Sequence, residues 1–206
     1  MLLRFVLYTV AITTFCMLLP SIVADGNIRG FTENRWVEWL QFALVFGSAG
    51  LLVDGARRVP ESRELLMLIA GFYGLAAFRE LDALLDELVP LLGWKIGPTV
   101  LLPLIAGLAI ARARRVGDQF ASFIGSSGFV LGWAGFMIPV AQLIGHGPFL
   151  EAMMGDHYHR AYKRVIEESG ELVGYMMLAA AAIETVINPP LTASCHERPD
   201  SAGIDR

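Results

Sequence analysis

Hydrophobic positions along the chain fall in long blocks separated by short charged clusters. Blocks of this kind are the membrane pattern, because crossing ~30 Å of hydrocarbon takes about 20 mostly apolar helical residues. The first block runs from about Leu2 to Val23 with Arg4 as its one charge, and reads either as a secretory leader or as a first span. Ala24 preceded by Ile22 is a poor small-residue cleavage site, so the block is taken as a retained helix. A second helix is predicted from about Trp36 to Val53 and a third from about Glu64 to Leu88, stopped by Pro90. The fourth starts near Pro98, a favourable first-turn proline, and ends near Ala111. The fifth runs from about Phe120 to Gly145 with a kink expected at Pro139, and the sixth from about Val165 to Ile187, ended by Asn188-Pro189-Pro190. The expected fold is therefore all-α, a polytopic bundle of about six transmembrane helices in one domain over residues 1–190. Residues 191–206 form a polar tail expected to be disordered and cytoplasmic.

Composition agrees with this pattern. Of 206 residues, 55% are hydrophobic and 17% charged, and the mean hydropathy is +0.54, a balance that a water-soluble domain of this size would struggle to keep in solution. Cys16 lies inside the first apolar block and Cys195 in the tail, so they fall at different depths and suggest no structural disulfide. The net charge of −4 and the absence of a basic stripe interleaved with aromatics argue against nucleic acid as a partner.

Six spans place nine Lys and Arg residues on the side of the amino terminus and seven on the other. The positive-inside rule then puts both termini in the cytoplasm of a multi-pass protein of the cell inner membrane. Twelve of the twenty acidic residues fall on the outer side, together with His146, His157 and His159, so cations would be drawn to that face.

Spacing concentrates these groups further. Arg79, Asp82 and Asp86 occupy one stripe of the third helix at separations that let the arginine bridge carboxylates, with Glu80 beside them. On the sixth helix Glu167 and Glu171 share a face with Gly174, and Glu168 lies about 60° from Glu171 on the helical wheel; on the second, Glu38, Gln41 and Ser48 line one side. On the fifth, Gly128, Gly132, Gly135, Pro139, Gln142 and His146 fall within about 80° of arc, a small-residue face that suits close packing in lipid and turns Gln142 and His146 toward the bundle. Charges inside a membrane cost ~2.5–3.5 kcal/mol each when central, so those retained usually pair or line a wet cavity. The best candidates for such a cavity are Glu38, Asp82 and Glu171. Structural pairing near helix ends, where side chains snorkel to water, is the competing account.

A loop of Met153, Met154, Gly155, Asp156, His157, Tyr158 and His159 offers a second candidate. Paired thioethers and His-x-His suit copper as Cu(I), and Asp156 with the histidines suits a divalent metal such as Zn(II). As an ordinary interfacial loop it needs no metal. A Ser126–His146 dyad is excluded, because one helix would hold the two about 30 Å apart.

Three classes of function follow. An acidic extracytoplasmic pocket could bind or move a cation, metal or small polar solute. The same carboxylates with His146 could serve a metal-assisted hydrolase or transferase acting on a lipid headgroup. The chain could also be a non-catalytic membrane subunit, with a membrane-protein partner or as a homo-oligomer. Matched discontinuous helices, the mark of many secondary transporters, are not evident; Pro103 and Pro139 are the two weak breaks.

Overall fold

The computed structural model describes residues 2–24, 36–89, 91, 93–136, 138, 140, 143 and 146–189. Among them all regular structure is helical: α1 (Leu2–Ala24), α2 (Trp36–Arg58), α3 (Arg63–Glu80), α4 (Asp82–Leu88), α5 (Ile96–Ala111), α6 (Ala113–Ile124), α7 (Ser127–Trp133), α8 (Gly147–Met154) and α9 (Arg160–Ile187), joined in places by single 3-10 turns. Within the described residues, α1, α2 and α9 are long and apolar enough to cross a membrane. The bent pair α5 and α6 could make a fourth span.

The middle of the bundle is an antiparallel hairpin, α2 and α3, reversed by Val59 and a 3-10 turn at Pro60–Ser62. The hairpin packs along α9. Val45, Leu52 and Ala56 of α2, Leu66, Ala70, Tyr73 and Ala77 of α3, and Tyr175 and Ala182 of α9 form the shared core. The α1 helix joins through a smaller cluster, in which Phe15, Leu19, Ile22 and Val23 pack on Val37 and Leu172. On the far side of α9 lies α7, where small residues set the spacing. A Cβ on Gly128 would collide with Thr185, and one on Gly135 with Leu178, while Gly132 stands farther off, with Ala181 at 3.8 Å.

Several expected spans differ. The third helix breaks at Leu81 (φ −101°, ψ 15°), so Arg79 and Glu80 end α3 while Asp82 and Asp86 belong to α4. The apolar run left in α3, Leu65 to Phe78, rises about 20 Å, short of a bilayer's hydrocarbon. The fifth helix is also not continuous. Gly125 and Ser126 interrupt it, with Ser126 Oγ accepting from Phe129 N at 3.1 Å as an N-cap, and α7 ends at Trp133 in a 3-10 turn, Ala134–Phe136. The expected kink at Pro139 and the polar tail at 191–206 lie outside the described residues.

The first part of α6, residues 113–119, fell between the fourth and fifth expected helices, and the rest was expected to open the fifth. The α6 helix turns 94° from α5 and is amphipathic, burying Gln119 and Phe123 while Arg114, Arg115, Phe120 and Ile124 are exposed. Gln119 fixes it to the start of α3: its Nε2 donates to Glu61 O at 2.7 Å and Glu64 Oε2 at 2.9 Å, and its Oε1 accepts from Leu65 N at 2.8 Å. The last bond satisfies one of the orphan amides of the α3 amino terminus.

Candidate functional site

With α3 antiparallel to both α2 and α9, the start of α2, the end of α3 and the first half of α9 come to one end of the bundle. There a cleft of about 390 Å³ opens, lined by Glu38 of α2, Arg79 and Glu80 of α3, Asp82 and Asp86 of α4, and Glu168 and Glu171 of α9. The break at Leu81 turns α4, so that its carboxylates border the cleft instead of extending the α3 stripe. Gly93, at φ +51°, allows the chain after α4 to fold under Asp86, whose carboxylate occupies the space a Cβ there would need.

Four hydrogen bonds tie the walls. Arg79 Nη2 donates across helices to Glu171 Oε1 at 2.7 Å. The Tyr175 hydroxyl, in the core one turn below Glu171, donates to Glu80 Oε1 at 2.6 Å. Gln41, wholly buried, donates from Nε2 to both the backbone oxygen and Oε2 of Glu168, each at 3.1 Å, and its Oε1 has no hydrogen-bond partner among the described residues. Tyr175 was not singled out from the sequence. Its place one turn after Glu171 on a buried face was the available signal.

The sequence candidates therefore divide. Glu38, Arg79, Glu80, Asp82, Asp86, Glu168 and Glu171 share the cleft, with Gln41 behind its wall. Glu167 is not among the residues that line the cleft and pairs with Lys163 at 3.7 Å. His146 does not face the bundle: it is exposed and precedes α8, where its carbonyl accepts from Phe149 and Leu150. With the fifth helix interrupted, the helical wheel that turned His146 inward no longer applies. Gln142 lies outside the described residues. In the loop, Asp156 and His157 are exposed in a 3-10 turn, and His159 caps α9 by accepting from Ala161 N at 3.3 Å. Among the described residues no three His, Cys, Asp or Glu groups stand close enough to hold a metal ion.

The opposite end carries a different network. Glu184, fully enclosed, accepts from Arg4 Nε at 2.6 Å and Nη2 at 3.1 Å, Tyr8 at 3.1 Å, Ser127 at 3.2 Å and Asn188 at 3.1 Å. These donors use the carboxylate's full acceptor capacity and bind α1 and α7 to α9.

No protein-family model matches the chain, and no curated protein and no solved structure is similar to it. The site's geometry is therefore the whole basis for a reading of function.

Proposed function

We propose that the chain is a multi-pass membrane protein of the cell inner membrane whose acidic cleft binds, or passes on, a cation or small polar solute. One observation carries this reading: six carboxylates and one guanidinium line a single cleft of about 390 Å³. Its volume falls in the usual range for small-molecule sites. Its walls are charged where such sites are mostly apolar, which favours a small, positively charged occupant. Carboxylates so grouped raise one another's energy unless cations share the space. Because the described carboxylates do not converge in threes, the geometry favours an organic ammonium or a hydrated divalent ion over a tightly chelated metal. A lipid-headgroup hydrolase using His146 is less well supported, since His146 stands outside the cleft.

Thermal melting of the purified protein in detergent tests this at fixed ionic strength. A ligand that binds only the native state raises apparent stability by RT ln(1 + [L]/Kd). Ca(II), Zn(II), Cu(I) and a small diamine are the probes. At least one should raise the Tm of wild type, and the rise should vanish in Glu38→Gln/Glu168→Gln. No shift with any probe would refute the reading.

The acidic end is proposed to face outside and both termini the cytoplasm, from the distribution of Lys and Arg. Cysteines placed at the exposed Gly117 and Gly155 should then label from opposite sides, Gly155 from outside. Labelling from one side, or in the reverse sense, would overturn this topology.

A further inference from the structure

Away from the acidic cleft, between α3, α7 and α9, lies a second hollow of about 230 Å³, an open groove lined by Ile69, Tyr73, Phe129, Trp133, Leu178 and Thr185 among others. Its wall offers almost nothing to a polar ligand. The Tyr73 hydroxyl is spent on Leu178 O at 2.8 Å and the Thr185 hydroxyl on Ala181 O at 2.6 Å. Phe123 of α6 closes one end, so the groove continues directly into the amphipathic helix.

That helix supplies charge beside the apolar groove. Arg112, Arg114 and Arg115 are exposed, and Arg112 and Arg114 make no ion pair among the described residues. Arg115 reaches Glu64 at 3.3 Å, which places it at the start of α3, only five residues and about 7.5 Å of rise from the groove residue Ile69. A helix set nearly at right angles to its neighbour, with Gln119 and Phe123 buried and Arg114 exposed on the opposite side, has the form of one lying in the plane of a membrane interface. Basic pockets between spanning helices at that level suit phosphate headgroups.

We infer that this face holds one anionic phospholipid of the surrounding bilayer, its headgroup against Arg112, Arg114 and Arg115 and one acyl chain in the groove. Charge complementarity and the continuity of the groove with α6 select this occupant. A zwitterionic lipid would gain the apolar contact and forgo the charge.

Trp133, 62% exposed and lining the groove, is a built-in reporter. In the full chain carrying Trp36→Phe, Trp39→Phe and Trp94→Phe, reconstituted in phosphatidylcholine vesicles, its fluorescence is titrated with phosphatidylglycerol brominated on its acyl chains. Brominated phosphatidylcholine at equal mole fraction is the reference. The expected result is saturable quenching by the anionic lipid, several-fold stronger than by the reference. The excess should disappear in Arg112→Gln/Arg114→Gln/Arg115→Gln, and also in Gly132→Leu, which fills the groove and keeps the arginines. Equal quenching by the two lipids, a linear excess that never saturates, or an excess surviving the arginine substitutions would each overturn the inference. The arginines are exposed, so that variant tests it even if Gly132→Leu does not fold.

Discussion

The two ends of the α2–α3–α9 bundle each hold buried acid, and they handle it in opposite ways. At the Glu184 end a single carboxylate receives two bonds from one guanidinium, two from hydroxyls and one from an amide. Its charge is matched and its acceptor sites are full, so the network has no capacity left for a ligand and acts as a clasp between the first helix and the last. At the other end six carboxylates surround an open cleft with one guanidinium among them. Glu171 is only 4% exposed and takes that guanidinium; Asp82 and Asp86 are exposed at the rim. An arrangement serving packing alone would resemble the first end. The proposed cation site rests on the six acids and one base that line the second.

The largest mutational effect should fall at the closed end. Glu184→Ala leaves Arg4 and three neutral donors without their acceptor, and breaking a buried pair typically costs about 3–5 kcal/mol. Arg4 is 31% exposed and can turn toward water, so the loss should lie near the bottom of that range. Melting in detergent would measure it, and the double variant Arg4→Gln/Glu184→Gln should recover most of the stability. Cation binding at the other end should be unaffected in the folded fraction of either variant. A loss of binding there would show that the two ends are not independent.

Next in size is the seam that holds α7 on α9. Gly128→Leu drives bulk into Thr185, and overpacking of this kind costs about 1–3 kcal/mol. Gly132→Leu should cost less, because its nearest neighbour, Ala181, is 3.8 Å away and the groove opens beside it. Equal losses in Tm would mean that the seam is looser than the packing of Gly128 implies.

The part of this arrangement legible in the sequence was the part carried by local spacing. Acids three and four residues apart on α9, and Glu38 one turn from Gln41 on α2, mark faces that any helix would keep, and the parallel course of α2 and α9 brings those faces to one level. The breaks were not legible. Leu81 is an ordinary helix former, and the apolar pattern runs through it, so no local signal marks the break there. The charge of residues 112–118 suggested a loop, although the same residues with Phe120 and Phe123 make an amphipathic helix once Gln119 is tied to α3. The Arg4–Glu184 clasp joins residues 180 positions apart, a distance over which no spacing argument operates.

The smallest stability change and the sharpest functional one are expected in the same variant. Arg79→Gln removes the cleft's guanidinium; since that side chain is 44% exposed, the loss of stability should be about 1 kcal/mol, nearer a surface pair than a buried one. Arg79 is also a tethered cation competing with any that enters. Equilibrium dialysis of the intact protein against whichever probe raises its Tm, at fixed ionic strength, measures the consequence directly. The account predicts saturable binding in wild type, several-fold tighter binding in Arg79→Gln, and none in Glu38→Gln/Glu168→Gln. Absence of saturable binding in wild type, or binding that Arg79→Gln weakens, would contradict it.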